Sequence, residues 1–349
     1  MNPVKGRGTA DNPKNRFEEI ELAPDPEAAE DEAVAPATKF YRDESKSVIA
    51  TNDSPDLGFS ASLNPYRGCE HGCVYCYARP THEYLGFSAG LDFETRIMVK
   101  RDAPSLLRKE LESPAWKPQV VVLSGVTDCY QPVERRLRLT RGCLEVFAEF
   151  RNPVSIVTKN HLVTRDADLL SELARHRAAA VFISITTLDG GLARAMEPRA
   201  SAPSRRLAAI AALASAGVPV GVLIAPVIPG LTEHEIPAIL AAAKKAGARH
   251  AGRVMLRLPF GVKEFFDRWL ERHEPLKRKK VLGRIRDVRG GRLTDPAFGT
   301  RLRGQGPLAD QIHQLFSATC LRLGISERGP ELSAESFRRP GPVQLPLFT

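Results

Sequence analysis

The sequence contains no apolar run long enough to cross a membrane, because no stretch approaches the roughly eighteen uninterrupted apolar residues of a transmembrane helix. The first residues, MNPVKGRGTADNPKNRFEE, also lack the apolar centre of a secretory signal peptide. Cysteine is scarce, at 6 in 349 residues, and half of these cysteines fall in one short segment. That distribution is unlike the disulfide framework of a secreted protein. We therefore expect a cytoplasmic protein with no membrane partner.

Charge is unevenly distributed along the chain. The net charge is +9, but residues 1–40 carry five Lys or Arg against nine Asp or Glu, so the remainder is strongly basic. Between Arg253 and Arg303, fifteen Lys or Arg stand against six Asp or Glu. Both a phosphate-facing surface and an ordinary solvated helix face account for such a segment, and both remain open at this point.

Short runs rich in Val, Ile and Leu alternate with longer amphipathic runs from about Val120 onward. The apolar runs VVVLSG, VSIVTKN, VFISITT, VPVGVLIAPVIPG and RVMLRLP are typical of strands buried on both faces. A further strand is expected near Phe59 to Leu63. Repeated alternation of strand and helix predicts an α/β protein with a parallel sheet. About six such units fit the chain and eight do not, so the expected fold is a partial (β/α)6 barrel.

Composition divides the chain into four segments. Residues 1–42 are polar and acidic, and we expect them to be disordered. Residues 55–275 form the predicted barrel, and residues 276–328 form a basic, helical C-terminal extension. Residues 329–349 are a Pro-rich tail that we also expect to be disordered.

One segment, NPYRGCEHGCVYCYARPTHEYLG at 64–86, holds Cys69, Cys73 and Cys76 with no fourth cysteine nearby. A zinc ion would need a fourth donor such as His71 or His82, and the spacing is unusual for structural zinc. Iron–sulfur clusters ordinarily take four thiolates. Three thiolates would therefore leave one iron open to a substrate or cofactor.

The pattern Cys69-Glu-His-Gly-Cys73-Val-Tyr-Cys76 resembles the CxxxCxxC motif of the radical SAM superfamily, including the aromatic residue before the third cysteine. The resemblance implies a [4Fe-4S] cluster held by these three cysteines, in the loop after the first strand of a partial barrel. It also implies that S-adenosylmethionine coordinates the open iron. Its reductive cleavage would give a 5′-deoxyadenosyl radical that abstracts hydrogen from a substrate.

Several stretches resemble the spore photoproduct lyase branch, which splits a thymine dimer lesion in DNA. They are TDCYQPVE at 127–134, TKN at 158–160 and the triplet Tyr75-Cys76-Tyr77. Over roughly residues 60–275 the chain is also similar to a group of uncharacterised bacterial radical SAM proteins. The lyase has a hydrogen-donating cysteine three residues before the aspartate of its second-strand motif, where this chain has Gly125. The candidate donor here is Cys129, just after Asp128.

The loop after the second strand is the first candidate for binding S-adenosylmethionine. The superfamily usually has Gly-Gly-Glu there, which holds the methionyl amino group. In this chain only Gly125, Thr127 and Asp128 could serve, and the alternative is an ordinary polar loop.

Lys159 and Ser184 follow the next two strands, at the carboxyl ends where barrel enzymes build their sites. Lys159 would contact a carboxylate, or alternatively cap a helix. Arg199 is a planar, permanent cation that suits a carboxylate partner, and a salt bridge to Glu197 or Asp189 is its alternative role.

Two tyrosines and two further cysteines complete the candidates. Tyr75 and Tyr77 would relay a radical, or pack over the cluster. Cys143 and Cys320 lie on apolar helix faces and are expected to be core residues.

The basic region and the lyase-like stretches favour a nucleic acid partner, with DNA ahead of RNA. An enzyme that modifies RNA or a protein is the alternative, and a non-catalytic iron–sulfur module is the third. The C-terminal sequence GPVQLPLFT is similar to the peptide by which bacterial polymerases and repair proteins bind the sliding clamp. Its matching residues are Gln344, Leu345, Leu347 and Phe348. The alternative is an apolar end that folds back onto the barrel.

Overall fold

The computed structural model describes residues 4–17 and 37–341. Its strands are β1 (Lys39–Arg42), β2 (Ile49–Thr51), β3 (Ala61–Leu63), β4 (Tyr66–Arg67), β5 (Arg96–Val99), β6 (Val121–Leu123), β7 (Val154–Thr158), β8 (Ala179–Ser184), β9 (Val220–Val227) and β10 (His250–Met255). The α-helices are α1 (Asp92–Thr95), α2 (Ala103–Glu112), α3 (Glu134–Leu137), α4 (Leu139–Phe150), α5 (Ala167–Arg175), α6 (Gly190–Met196), α7 (Pro203–Ser215), α8 (Ile236–Lys245), α9 (Val262–His273), α10 (Pro275–Asp287) and α11 (Pro307–Leu323). Short 3-10 helices span Arg79–Leu85, His161–Asp166 and Glu233–Glu235.

The large sheet has the strand order β10-β9-β8-β7-β6-β3-β2. Each pair from β3 to β10 is parallel, and only the edge strand β2 runs antiparallel to its neighbour. The six parallel strands are connected through helices, and the sheet does not close on itself. The prediction of a partial (β/α)6 barrel is therefore confirmed.

The main core lies between this sheet and the surrounding helices. Strand β6 is buried at every position, as a near-continuous apolar run predicts. Phe147 and Phe150 of α4 are fully buried in this core. Cys143 and Cys320 lie there too, which confirms that they are core residues. No helix in the described ranges is both long and apolar enough to span a bilayer.

A second core joins the cysteine segment to the C-terminal helices. Val74 packs in one cluster with Phe265 and Phe266 of α9 and with Val281 and Ile285 of α10. This cluster also contains residues that follow β9 and β10. The basic helices therefore lie beside the carboxyl end of the barrel strands.

Part of the N-terminal segment is packed against the barrel, although its composition predicts disorder. Strand β1 pairs in parallel with β5. Upstream, Asn12 exchanges two hydrogen bonds with Asp92, at 2.8 and 2.9 Å. Few apolar residues are needed here, because polar groups find specific partners on the residues that follow the cysteine segment.

The C-terminal tail also differs from its prediction as far as it is described. The Nε of Arg338 donates to the carbonyl oxygen of Glu149 at 2.9 Å, and Phe337 packs against Phe150. These contacts hold residues 337–339 on the outer side of the barrel. Residues 18–36 and the predicted clamp motif, Gln344 to Phe348, lie outside the described residues.

Candidate active site at the carboxyl ends of the strands

A cavity of about 340 Å³ opens at the carboxyl ends of the parallel strands, between them and the cysteine segment. All three cysteines of the segment line it, together with residues that end or follow β6, β7, β8, β9 and β10. Parallel strands present their carboxyl ends at one face of a barrel, and this is where barrel enzymes place their reactive groups. The cavity is therefore the candidate active site.

The three thiols of Cys69, Cys73 and Cys76 are free of disulfides. The loop that carries them turns through Gly68 and Gly72, whose φ angles of 82° and 66° strain any other residue. A methyl group at Gly72 would also lie 2.6 Å from a carboxylate oxygen of Glu94. The loop can follow this path only with glycine at these positions.

The donor set fits an iron–sulfur cluster. Burial raises the pKa of the Cys73 thiol well above its ordinary value and that of Cys76 to about 11. Buried thiols become thiolates when metal ions supply positive charge. Among the described residues, no three His, Cys, Asp or Glu side chains come together as ligands for a single ion. His82, one of the alternative zinc donors, is buried between the rings of Phe87 and Phe93.

The loop after β6 brings the predicted Gly125 and Thr127 to the cavity wall. The backbone turns at Ser124, whose φ of 74° is in the left-handed region. The side-chain oxygen of Asn64 accepts hydrogen bonds from the amides of Val126 and Thr127, at 2.9 and 3.2 Å. Asn64 was not a predicted site residue, although it lies in the quoted cysteine segment. Asn64 directly follows β3, and its side chain therefore holds the loop after β6, the strand next to β3.

Asp128 also lines the cavity, and its carboxylate joins three elements. It accepts hydrogen bonds from the Thr158 hydroxyl and the Lys159 amide, both at 2.8 Å, and lies 3.3 Å from Nδ1 of His71. Burial would raise the pKa of Asp128, but His71 and these hydrogen bonds keep it below its ordinary value. Burial by itself would lower the pKa of His71. The negative charges of Asp128 and Cys69 outweigh this effect and raise the pKa of His71 to about 10. The pair ties the cysteine loop to the ends of β6 and β7.

Lys159 is held inside the cavity rather than at a helix cap. Its Nζ donates to the Ser184 hydroxyl at 2.6 Å and to the Ala225 carbonyl oxygen at 2.9 Å. The same nitrogen lies 3.8 Å from Oε1 of Glu197. The predicted Lys159 and Ser184 therefore form one polar group at the carboxyl ends of β7 and β8.

Glu197 is a buried anion that was not predicted as a site residue. Its carboxylate pairs with Arg206 and accepts hydrogen bonds from the hydroxyls of Tyr75 and Thr186. Burial alone would raise its pKa, but Arg206 and Lys159 lower it to about 2. The sequence pointed to Arg199, two positions later, and Glu197 entered only as a possible salt-bridge partner for it.

Arg199, a predicted cofactor-binding residue, does not line the cavity. Its guanidinium pairs with Glu70 at 3.1 Å, and its amide donates to the His71 carbonyl oxygen at 3.2 Å. Neither Glu197 nor Asp189 is its partner. Arg199 therefore bonds to the cysteine loop at Glu70 and His71 and not to groups of the cavity.

Both predicted tyrosines line the cavity. The buried Tyr75 donates its hydroxyl proton to Glu197. Tyr77 is half-exposed, and its hydroxyl donates to the carbonyl oxygen of Gly125 at 2.8 Å. The guanidinium of Arg257 lies 5.3 Å from the centre of the Tyr77 ring.

Cys129 is not brought to the cavity. It is fully buried in the main core, where its amide donates to the Ser124 hydroxyl and its carbonyl oxygen accepts from the Thr140 hydroxyl. The adjacent Asp128 lines the cavity, whereas the thiol of Cys129 does not. The structure thus does not support Cys129 as a hydrogen donor, because its thiol packs into the core.

The rim of the cavity is apolar and cationic. Leu57 and Phe59 form its apolar part, and Arg257 and Arg301 form its cationic part. Arg301 is paired with Asp56 at 2.6 Å. Arg257 is half-buried, and within the described ranges no carboxylate lies within 4 Å of its guanidinium. The two arginines lie in the basic segment noted in the sequence, but composition alone could not single them out.

Comparison with known proteins decides the family. The model for the radical SAM superfamily matches residues 63–243, which include the three cysteines and the strands from β6 to β9. The chain belongs to the radical SAM superfamily. The assignment made from the cysteine pattern is confirmed, and it makes the protein an enzyme of a family that uses S-adenosylmethionine and an iron–sulfur cluster.

Among its relatives are proteins from bacteria and archaea. An uncharacterised protein of Mycobacterium tuberculosis is 37% identical over 250 residues, which span 71% of this chain and 72% of the relative. An uncharacterised protein of Methanocaldococcus jannaschii is 30% identical over 174 residues, spanning 50% of this chain and 62% of the relative. These relatives agree with the predicted group of uncharacterised radical SAM proteins.

Solved structures of spore photoproduct lyase share the fold. The lyase complexed with dinucleoside spore photoproduct has a TM-score of 0.54 at 18% identity, covering 78% of this chain and 77% of that one. A double mutant of the lyase with bound AdoMet and the same dinucleoside has a TM-score of 0.55 at 16% identity, covering 82% and 80%. At this identity the likeness shows the fold alone.

Proposed function

We propose that the protein holds a [4Fe-4S] cluster on Cys69, Cys73 and Cys76 and binds S-adenosylmethionine across the ends of β6, β7 and β8. The observation that carries this proposal is the set of three unpaired thiols on one cavity wall, with Lys159 and Ser184 on another. When bound, the cluster and S-adenosylmethionine supply a 5′-deoxyadenosyl radical that abstracts hydrogen from a substrate.

The residues of the cavity suit the polar groups of S-adenosylmethionine. The Lys159 ammonium, whose Nζ lies 3.8 Å from Oε1 of Glu197, supplies positive charge for the carboxylate of the cofactor. The loop through Gly125, Thr127 and Asp128, which adjoins Lys159, offers further polar groups. Asn64 holds this loop in one conformation, so the site is formed before the cofactor enters.

The cavity also protects a reactive intermediate from water. Val122, Val157, Leu223 and Met255 line its floor with apolar side chains. Such a lining excludes solvent and limits side reactions of a radical. This property is independent of the substrate.

The charge around the cavity supports a nucleic acid substrate, and we propose DNA ahead of RNA. At the rim, Arg257 presents a guanidinium with no acidic partner among the described residues, next to the ring of Tyr77. Arginine and aromatic side chains are the usual contacts for phosphates and unstacked bases. A nucleotide drawn out of its strand could then place its base toward the cysteines and its phosphate at Arg257.

Helix α10 carries further basic residues. Lys279 and Lys280 are exposed and form no ion pair within the described ranges, whereas Lys277 pairs with Glu274 and Arg278 pairs with Asp267. Unpaired cations bind phosphate more strongly than cations that are already neutralised. Lys279 and Lys280 are therefore expected to contribute more to nucleic acid binding than Lys277 and Arg278.

Within this proposal the reaction is a lyase-like repair of a DNA lesion. Tyr75 and Tyr77 remain the candidate catalytic residues because they line the cavity, whereas Cys129 does not. We also retain docking of the tail on the sliding clamp as a proposal, which rests on the sequence of residues 344–348. Modification of RNA or of a protein is the second candidate, since a basic surface does not distinguish the two nucleic acids.

The cluster can be tested directly on anaerobically purified protein. We expect about four iron ions per chain, and loss of the cluster's visible absorbance when Cys69, Cys73 or Cys76 is changed singly to Ala. Cys320→Ala is the matched control, because this buried cysteine lies on α11 and outside the cavity. Stoichiometric zinc in place of iron, or a Cys76→Ala protein that keeps the full absorbance, would contradict the proposal.

A further inference from the structure

The N-terminal residues 7–16, here called the strap, contact the cysteine segment and the residues just after it. Asn15 donates to the carbonyl oxygens of Glu83 and Phe87, and the guanidinium of Arg16 pairs with the Glu83 carboxylate at 2.6 Å. The amide of Leu91 donates to the carbonyl oxygen of Asp11 at 3.1 Å. These bonds connect residues more than sixty positions apart in the chain, and they account for an ordered path through a polar sequence.

One end of the strap is bonded to a buried ion pair. Glu94 is fully buried, and its carboxylate accepts from the amide of Gly8 at 3.0 Å and from the amide and hydroxyl of Thr9, both at 3.1 Å. The same carboxylate pairs with Arg79 at 2.6 Å, and both side chains have no exposed surface. A buried ion pair is stable only when its remaining hydrogen-bonding positions are filled. Here the strap fills those of the carboxylate.

The other side of this ion pair holds a predicted cluster ligand. Two nitrogens of Arg79, Nε and Nη2, donate to the carbonyl oxygen of Cys73 at 3.0 and 2.9 Å. A chain of direct contacts therefore runs from Thr9 through Glu94 and Arg79 to the backbone of Cys73.

The backbone of the strap also touches the cysteine loop. A methyl group on Gly8 would lie 1.7 Å from the carbonyl oxygen of Gly72, which stands between the first two cysteines. Backbone atoms on both sides cannot move independently, so no side chain fits at this point. A Gly8→Ala substitution would push the strap away from the loop.

We infer that the strap is a positioning element for the cluster-binding loop, with Gly8 and Thr9 acting through Glu94 and Arg79 on Cys73. The inference rests on the proposed cluster, but it assigns to residues 7–16 a role that is separate from cofactor binding. It predicts that the strap slows the local opening through which oxidants reach the loop. A purely structural strap would instead affect only the stability of the whole chain.

The test compares Thr9→Val, Thr9→Ser and Gly8→Ala in the full-length protein with its cluster. Thr9→Val keeps the shape of the side chain and removes its hydrogen bond to a buried charge, whereas Thr9→Ser keeps the hydroxyl. Lys5→Ala, an exposed change just before the strap, and Gly283→Ala, where a methyl group meets nothing within 4 Å, are the controls. The readouts are the rate at which the cluster absorbance is lost in air, the electron paramagnetic resonance spectrum of the reduced cluster, and the melting temperature.

Thr9→Val is expected to lose its cluster absorbance roughly tenfold faster than wild type, the effect of one hydrogen bond to a charged group on local opening. Thr9→Ser should restore the wild-type rate, Gly8→Ala should exceed Thr9→Val, and the two controls should match wild type. Equal rates in Thr9→Val and wild type would overturn the inference. So would equal defects in Thr9→Val and Thr9→Ser, or a lower melting temperature with unchanged rate and spectrum. If wild type binds no cluster, the proposed function fails instead.

Discussion

Substitution of Glu197 by Gln tests how much the buried ion pair between Glu197 and Arg206 stabilises the fold. In the native protein the Glu197 carboxylate is buried against Arg206, and it also accepts from Tyr75 and Thr186. Glutamine has nearly the same shape but no charge, so Arg206, which is 1% exposed, would keep a buried charge without a counter-ion. Breaking a buried pair in this way costs about 3–5 kcal/mol.

The lowered pKa of Glu197 expresses the same pairing with Arg206 as a dependence of stability on pH. Its shift from 4.5 to about 2 corresponds to roughly 3 kcal/mol of folding free energy. Because the pKa in the folded state is the lower one, this stabilisation is present above pH 4.5 and is lost as the pH falls toward 2. Wild type should therefore lose stability over that range, and Glu197→Gln should lose less.

The assay is urea unfolding of the two proteins, prepared in the same way, at neutral pH and at several values down to pH 3. A double variant, Glu197→Gln with Arg206→Met, should recover most of the lost stability, because it removes the unpaired charge and retains the volume. If Glu197→Gln unfolds at the wild-type urea concentration, the ion pair does not stabilise the fold. A double variant less stable than the single one would show that the hydrogen bonds from Arg206 to the carbonyl oxygens of Ser184 and Ser201 outweigh the cost of its unpaired charge.

Three further predictions concern binding. Lys159→Ala should weaken S-adenosylmethionine binding about tenfold or more in equilibrium dialysis, and unchanged affinity would remove this lysine from the cofactor site. Replacement of both Lys279 and Lys280 by Ala should flatten the salt dependence of DNA binding, measured by fluorescence anisotropy, by about two in the slope of log affinity against log salt. Lys277→Ala is the control, since this residue already has an acidic partner, and equal effects would contradict the assignment. A peptide of the last twenty residues should bind the sliding clamp with a binding free energy of roughly −8 kcal/mol, measured by calorimetry. Replacement of both Leu347 and Phe348 by Ala should abolish the heat of binding. Absence of heat with the native peptide would contradict the proposed clamp docking.

The barrel could be predicted from sequence because its strands are nearly continuous in Val, Ile and Leu. The predicted runs at 154–160 and 218–230 contain β7 (Val154–Thr158) and β9 (Val220–Val227), and they extend past these strands by two or three residues at their ends. Periodicity carried less information between residues 64 and 119. There the short strands β4 and β5 depend on pairing with distant segments, and no local pattern shows which segments will meet.

The site could be predicted where a residue type and its place after a strand coincide, as for Lys159 and Ser184. It could not be predicted where burial determines the role. Cys129 and Asp128 are neighbours in the sequence, yet one packs into the core and the other faces the cavity. Glu94 and Arg79 form a buried pair with the strap, and nothing in their local sequence distinguishes them from exposed charges. Such contacts join residues far apart in the chain, so only the folded structure reveals them.

The central claim is that this cavity supports radical chemistry on a three-cysteine cluster. Its most direct test is to incubate the anaerobically purified protein with S-adenosylmethionine and a strong reductant, and to measure 5′-deoxyadenosine by chromatography. We expect 5′-deoxyadenosine from wild type and from Cys320→Ala, and none from Cys69→Ala, Cys73→Ala or Cys76→Ala. A cluster-loaded wild-type protein that forms no 5′-deoxyadenosine, or a Cys76→Ala protein that forms as much as wild type, would contradict the claim.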